Sequence, residues 1–189
     1  MSNDATPRLM ALAEIETEIW RQLEAAVLDK RHAWRAPVLA TVDGEGADAR
    51  TVILREVDAR LKQLLTFTDD RAGKVKQLMH HPYATLVMWS PALSWQLRCR
   101  VRLSLEMTGL AATSRWARIK LTPAAQDYLT RLPPGAELSA AEPLDTGSLK
   151  REYFAVVSAQ VLAIDWLELH RSGHRRAVFD ERGARWLQP

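Results

Sequence analysis

Cysteine is all but missing: Cys99 is the only one in 189 residues. One thiol closes no intrachain disulfide, so nothing points to an oxidising compartment. Long apolar runs are missing too. No stretch approaches the roughly 20 residues that a membrane helix needs. The opening MSNDATPRLMALAEIETEIW carries acids where a signal peptide needs an apolar run, so the expected location is cytoplasmic. There is no GxSxG, no GxGxxG and no cysteine pair, which leaves serine-hydrolase, Rossmann and disulfide-reductase chemistry without support. GKV at 73–75 fails as a P-loop, because no glycine stands five positions ahead of Gly73 and Val75 replaces the metal-binding Ser/Thr. Charge of one sign is also scarce. A net charge of +3 does not demand nucleic acid, though it suits a small phosphorylated ligand.

What is present is a soluble-type composition, 47% hydrophobic and 26% charged, long enough for one domain with a substantial core. Leu9, Leu12, Ile15, Ile19, Leu23 and Val27 recur at helical steps and predict an amphipathic helix over about 8–29. The texture then changes to short strands with close turns. PVLATVDGEG, ARTVILREV and LKQLLTFT read as a meander. DDRAGKVKQLMHH reads as a helix capped by Asp69 or Asp70 and closed by Pro82. YATLVMWS pairs with WQLRCRVRLSLE. In the latter, Leu97, Cys99, Val101 and Leu103 alternate with Gln96, Arg98, Arg100 and Arg102, which makes it a half-buried strand with Cys99 on the core side. SRWARIKL and PAAQDYLTR read as helical, 133–148 as a loop, EYFAVVSAQVLAIDWLEL as a long strand, and RRAVFD with ARWLQP as a last hairpin. The connections are too short for parallel crossovers, which predicts an antiparallel barrel.

Two constellations carry chemistry. Lys74 falls in the first turn of a helix, where free N–H groups and the dipole favour an anion; a solvated lysine fits the same residues. Arginine far outnumbers lysine and recurs in strand contexts at Arg50, Arg55, Arg98, Arg100, Arg102, Arg175 and Arg176. Three arginines along one strand face repel unless something anionic meets them. His170 and His174 have the spacing of helical metal ligands, but Gly173 and the strand pattern argue against a helix, and no metal is expected.

The ordered set RTVILR, TFTDDRAGK, SWQLR and W…HRR, over about 37–186, resembles the pyridoxamine 5'-phosphate oxidase-like FMN-binding split-barrel family, in the branch with unassigned substrates. The resemblance implies a mainly β (α+β) fold: a six-stranded antiparallel split β-barrel with peripheral helices, homodimeric, with FMN in two interface clefts. One FMN-binding domain would fill the chain, with the barrel at 37–108 and 152–188 and a helical and loop insertion at 112–150. By position, Arg50 and Lys74 meet the flavin phosphate, and Val52 and Ile53 present backbone to the ring edge. Phe67 and Thr68 touch the ribityl-phosphate end, Gln96 the ring system, and Arg55 the flavin and substrate. Trp166 and Arg176 come from the other subunit, and His174 joins Arg55 on the substrate side.

There are departures. Ala72-Gly73-Lys74 stands where the family often has Ser-Arg-Lys, so two phosphate contacts are missing and Arg71 is the nearest substitute. Trp116, Lys120 and Ala124 fall where true pyridoxamine-phosphate oxidases grip the substrate phosphate. The expectation is therefore a flavin-dependent oxidoreductase of an unidentified small molecule, with a nicotinamide as a candidate electron donor and the 133–148 loop as a candidate cover for the cleft. Pyridoxamine-phosphate oxidation itself, a non-enzymatic flavin binder and a basic nucleic-acid-binding barrel stay open as alternatives; the last lacks aromatic–basic interleaving for base stacking.

Overall fold

The computed structural model describes residues 8–44, 46–138 and 153–189. Helix α1 (Leu12–Leu28) turns Ile15, Ile19, Leu23 and Ala26 inward, and Glu14 caps its start through the Ala11 N–H. Nine antiparallel strands follow: β1 (Val38–Asp43), β2 (Gly46–Thr51), β3 (Leu54–Asp58), β4 (Gln63–Asp69), β5 (Tyr83–Ser90), β6 (Trp95–Glu106), β7 (Phe154–Glu168), β8 (Arg175–Asp180) and β9 (Gly183–Leu187). Two further helices, α2 (Gly73–His80) and α3 (Gly109–Ile119), flank them, and Pro123–Tyr128 form a 3-10 turn with proline at its start.

The sheet runs β2-β1-β5-β6-β7-β4-β3, with β8 added to β7 and β9 to β8. Its two ends, β2 and β3, are consecutive in the chain and joined by Val52 and Ile53 alone. So short a link forces the sheet to curl until its edges meet, which makes it a barrel. ARTVILREV, expected as one strand, is therefore broken at that corner. Val52 turns inward and gives its N–H to the Pro37 carbonyl at 2.9 Å, while Ile53 stays exposed. Among the described residues nine strands are seen where the resemblance implies a six-stranded barrel; this break and the terminal hairpin account for the three more.

β7 is the hub. β6 lies along one side of it, while β4 takes the first half of the other side and β8 the second. The change of partner falls at a bulge, where Leu162 is skipped between the Arg100–Ala163 and Val101–Val161 pairs. Inside the barrel Leu97, Cys99, Val101 and Leu103 meet Trp166, Ile164 and Val161, with α1 and Trp34 closing the end. Outside, Leu65, Phe154 and Val156 are covered by Trp116 of α3 and by Tyr128 and Leu129. Burial pushes the Cys99 thiol up to about 12, which suits packing and not catalysis. Of the loop expected at 133–148, residues 139–148 lie outside the described residues.

Candidate functional site

Helix α2 begins later than its sequence suggests. Its N-cap is Ala72, which offers no side-chain cap. The expected cap Asp69 is buried and accepts from the Arg71 N–H at 2.8 Å and from the Arg71 guanidinium. The first turn of α2 thus keeps N–H groups that no side chain satisfies, beside Lys74. Val75 and Leu78 anchor the helix, and Lys74 and Gln77, three residues apart, share the neighbouring side.

That side faces β1 and β2. Arg50, opposite Leu39 across the ladder, reaches Thr41 Oγ1 at 2.6 Å, Gln77 Oε1 at 2.8 Å and the Asp48 carboxylate. Thr41 donates its hydroxyl to Gln77 Oε1 at 2.6 Å, and Gln77 Nε2 donates to Asp48 at 2.9 Å. These bonds from Gln77 and Arg50 hold Asp48 below the usual carboxylate range. Lys74 has no such company. Among the described residues it makes no hydrogen bond or ion pair, and burial together with the Arg50 charge pulls its pKa down, against a smaller pull from Asp69. A half-buried ammonium with no ion-pair partner among the described residues, at an uncapped helix start and beside a guanidinium, suits an anion.

β4 leads into this cluster. Thr68 is buried, with its hydroxyl on the Asp69 carbonyl at 3.2 Å, and Phe67 packs against Phe154 at 5.1 Å. Arg55 on β3 stands 5.9 Å over the Phe67 ring and beside Tyr128, whose hydroxyl pKa burial raises and Arg55 moderates. The Arg55 Nε is buried without a partner. Lys74 and Arg55 thus leave two unsatisfied donors, one at an anion cradle and one beside aromatic side chains. They fit the phosphate and the acceptor-rich ring of FMN.

The other expected residues lie elsewhere. Gln96 is half-buried at the start of β6, opposite Leu167, and Leu167 in turn pairs with Arg176. Arg176 binds Asp165 at 2.7 Å, and Asp165 also takes Arg98. His174 is exposed in the β7–β8 loop, its Nδ1 accepting the His170 N–H at 3.1 Å. Among the described residues, no hydrogen bond or ion pair joins this set to the Arg50–Lys74 set.

Three further side chains are taken up by packing or pairing within the fold. Trp166 is wholly buried, between Trp95 at 5.2 Å and Trp186 at 6.2 Å, with its Nε1 unpartnered among the described residues. Arg71 does not replace the missing phosphate contacts: it is committed to Asp69 and to the Thr130 and Arg131 carbonyls, and lies 3.3 Å from the Tyr153 ring. Trp116 packs on Phe154 at 5.3 Å.

Sequence reasoning missed Thr41, Asp48 and Gln77. The only signals were the two-residue strand step from Asp48 to Arg50 and the three-residue helix step from Lys74 to Gln77. A cavity of about 500 Å³, lined in part by Trp20, Lys62, Arg100 and Phe179, involves neither set.

Residues 17–105 match the family model described as pyridoxamine 5'-phosphate oxidase, FMN-binding domain. The match ends within β6, so β7–β9 and the Gln96 set's partners on them fall outside it. A pyridoxine/pyridoxamine 5'-phosphate oxidase from Chromohalobacter salexigens is 42% identical over 69 residues, 36% of this chain and 31% of that protein. A second, from a Cyanothece species, is 36% identical over 88 residues, 46% of this chain and 38% of that protein. This chain therefore matches about a third of the length of these curated relatives.

Among solved structures, an oxidase-related, FMN binding protein from Nostoc punctiforme superposes with a TM-score of 0.72 at 22% identity, covering 95% of this chain and 100% of that one. PhzG from Burkholderia lata gives 0.79 at 14% identity, covering 99% and 100%. At such identities the likeness establishes the fold alone. Over residues 17–105, then, just under half of its length, the chain is similar to the FMN-binding domain of the pyridoxamine 5'-phosphate oxidase family.

Proposed function

We propose that this protein is a cytoplasmic, homodimeric flavin-dependent oxidoreductase acting on a small molecule, with FMN held by the Arg50–Lys74 cluster. The observation that carries the reading is Lys74, a half-buried cation that makes no ion pair among the described residues, at an uncapped helix start. Lys74 and the α2 N–H groups hold the phosphate, with Arg50 adding charge behind them. Thr68 and Phe67 flank the ribityl chain. At the barrel corner the Val52 N–H is already given to Pro37, which leaves Ile53 to face the ring edge. Arg55 directs its unpartnered Nε at the ring and, with His174, borders the substrate. Bound FMN supplies two-electron chemistry, while these residues orient it and exclude water.

A second copy supports the arrangement. Val38, Val42, Tyr83 and Trp89 are exposed on the same sheet face as Gln96, Arg100 and Arg102. An apolar strip of that kind suits a protein partner, and dimerisation through it would bring Gln96 and Arg176 of one protomer towards the phosphate cluster of the other.

The test is an FMN titration followed by absorbance, with Lys74→Ala alongside, then reduction by a nicotinamide donor. Yellow protein that loses affinity on Lys74→Ala and is reduced by the donor upholds the proposal. Wild type that binds no FMN removes it. Bound FMN that no donor or amine substrate reduces makes the protein a flavin binder and not an enzyme. Hydrogen peroxide released from pyridoxamine 5'-phosphate would give it the activity for which its curated relatives are named.

A further inference from the structure

Within the phosphate cluster one residue has the wrong sign. Asp48 stands two positions before Arg50 on the same face of β2, and its carboxylate takes the Arg50 Nη2 and the Gln77 Nε2, the latter at 2.9 Å. Arg50 Nη1 is given to Thr41 and, at 3.4 Å, to the Leu39 carbonyl. Gln77 Oε1 is filled by Arg50 and Thr41. Both terminal nitrogens of Arg50 are thus turned onto protein acceptors, and its nearest negative charge is internal. The side chain of Asp48 is 46% exposed, and that of Arg50 is 21% exposed. The carboxylate is therefore the more solvent-exposed partner of the pair.

We propose that Asp48 is a built-in competitor for the FMN phosphate: it occupies Arg50 with a carboxylate and so makes the cofactor readily exchangeable. The inference rests on the FMN reading above and adds to it the affinity and lifetime of the bound state. A phosphate carries about two negative charges near neutrality. It meets two cations here, Lys74 and Arg50, of which one is already neutralised. A dianion must either displace Asp48 from Arg50 or lie close to an uncancelled carboxylate, and both routes weaken binding. With Ala72 and Gly73 giving no side-chain donor to the phosphate, the balance falls on Lys74 and the helix start alone.

A purely structural role for Asp48 predicts the opposite sign. If the carboxylate only holds Arg50 in place, then removing its charge loosens Arg50 and weakens FMN.

The experiment measures FMN dissociation constants and release rates for wild type, Asp48→Asn, Asp48→Ser and Lys74→Ala. Riboflavin, which lacks the phosphate, is the control. The expected result is FMN binding roughly tenfold tighter, with slower release, in both Asp48 variants. Riboflavin affinity stays unchanged and Lys74→Ala weakens FMN. Unchanged or weaker FMN binding in both Asp48 variants, with the Lys74 effect intact, overturns the competitor role and leaves the phosphate site standing. Equal affinity for FMN and riboflavin, with no effect of Lys74→Ala, overturns the site itself and the inference with it. Two substitutions of different size guard against a folding defect peculiar to one of them.

Discussion

Glu168 should be one of the most costly single residues to neutralise in this fold. It lies at the end of β7 with its side chain 7% exposed, and two arginines converge on it. Arg8, from the segment before α1, donates from Nε at 2.9 Å and from Nη2; Arg175, at the start of β8, donates at 2.9 and 3.0 Å; Trp95 Nε1 adds a contact at 3.4 Å. Burial by itself would raise this carboxyl, but the bonds from Arg175 and Arg8 outweigh it and the net shift is downward. Glu168→Gln keeps the volume, cancels the charge and turns an amide towards a guanidinium. Removing one partner of a buried ion pair costs about 3–5 kcal/mol. Arg8, with its side chain 27% exposed, can hydrate, so the low end applies, about 3 kcal/mol. For a chain of this size about 1 kcal/mol moves Tm by 2–4 °C, so the variant should melt roughly 6–12 °C lower at pH 7.

The acid limb fixes the sign. A carboxyl whose folded pKa is depressed contributes stability above its unfolded value near 4.5, and that contribution is lost as pH falls through the folded value. The gap between wild type and Glu168→Gln should therefore close between pH 5 and the acid end of the scan. Thermal melts by circular dichroism across that range measure it. A Tm loss under about 2 °C at pH 7, or a gap that stays constant into acid, would refute the argument.

Two further outcomes are expected. Trp89→Glu puts a charge in the exposed apolar strip near the end of β5, so on the proposed dimer light scattering should find wild type at twice the chain mass and the variant at one, with the circular dichroism spectrum unchanged; an unaltered mass sinks the proposed interface. Cys99, fully enclosed and with its thiol near 12, should resist a disulfide reagent at pH 8 in the native protein and react once unfolded; prompt stoichiometric labelling of the native form contradicts the packing.

The parts of the fold legible in the sequence are those where a period expresses burial. Helix α1 shows its apolar stripe, and β6 shows strict alternation that the structure reproduces residue by residue from Trp95 to Ser104. The barrel corner does not announce itself. TVIL is β-branched and apolar throughout, and what breaks it is the Pro37 carbonyl, distant in sequence, together with the need to pass from one sheet edge to the other. The start of α2 misleads for a related reason. Asp69 has the right chemistry for a cap, but its carboxylate is already satisfied by Arg71, so the helix begins after it, uncapped. The depth of Trp166 is not legible in spacing; only packing against Trp95 and Trp186 shows that it is enclosed.

The arginines are the sharpest case of what sequence withholds. Their number suggests a broadly cationic surface, yet among the described residues many are paired with carboxylates of the fold. Arg175 and Arg8 share Glu168, Arg176 and Arg98 share Asp165, Arg115 holds Glu56, Arg185 holds Asp180, and Arg50 holds Asp48. Among the described residues, the uncancelled cations on the β6 face are Arg100 and Arg102, and the one at the α2 start is Lys74. A carboxylate within the fold costs a cation little and fixes its position, but it also removes most of that cation's reach towards outside anions. Ligand chemistry should therefore follow the uncancelled charges and not the arginine count. That ranks Lys74 ahead of Arg50 for holding a phosphate, and it makes Asp48 the residue whose removal would bring Arg50 back into the site.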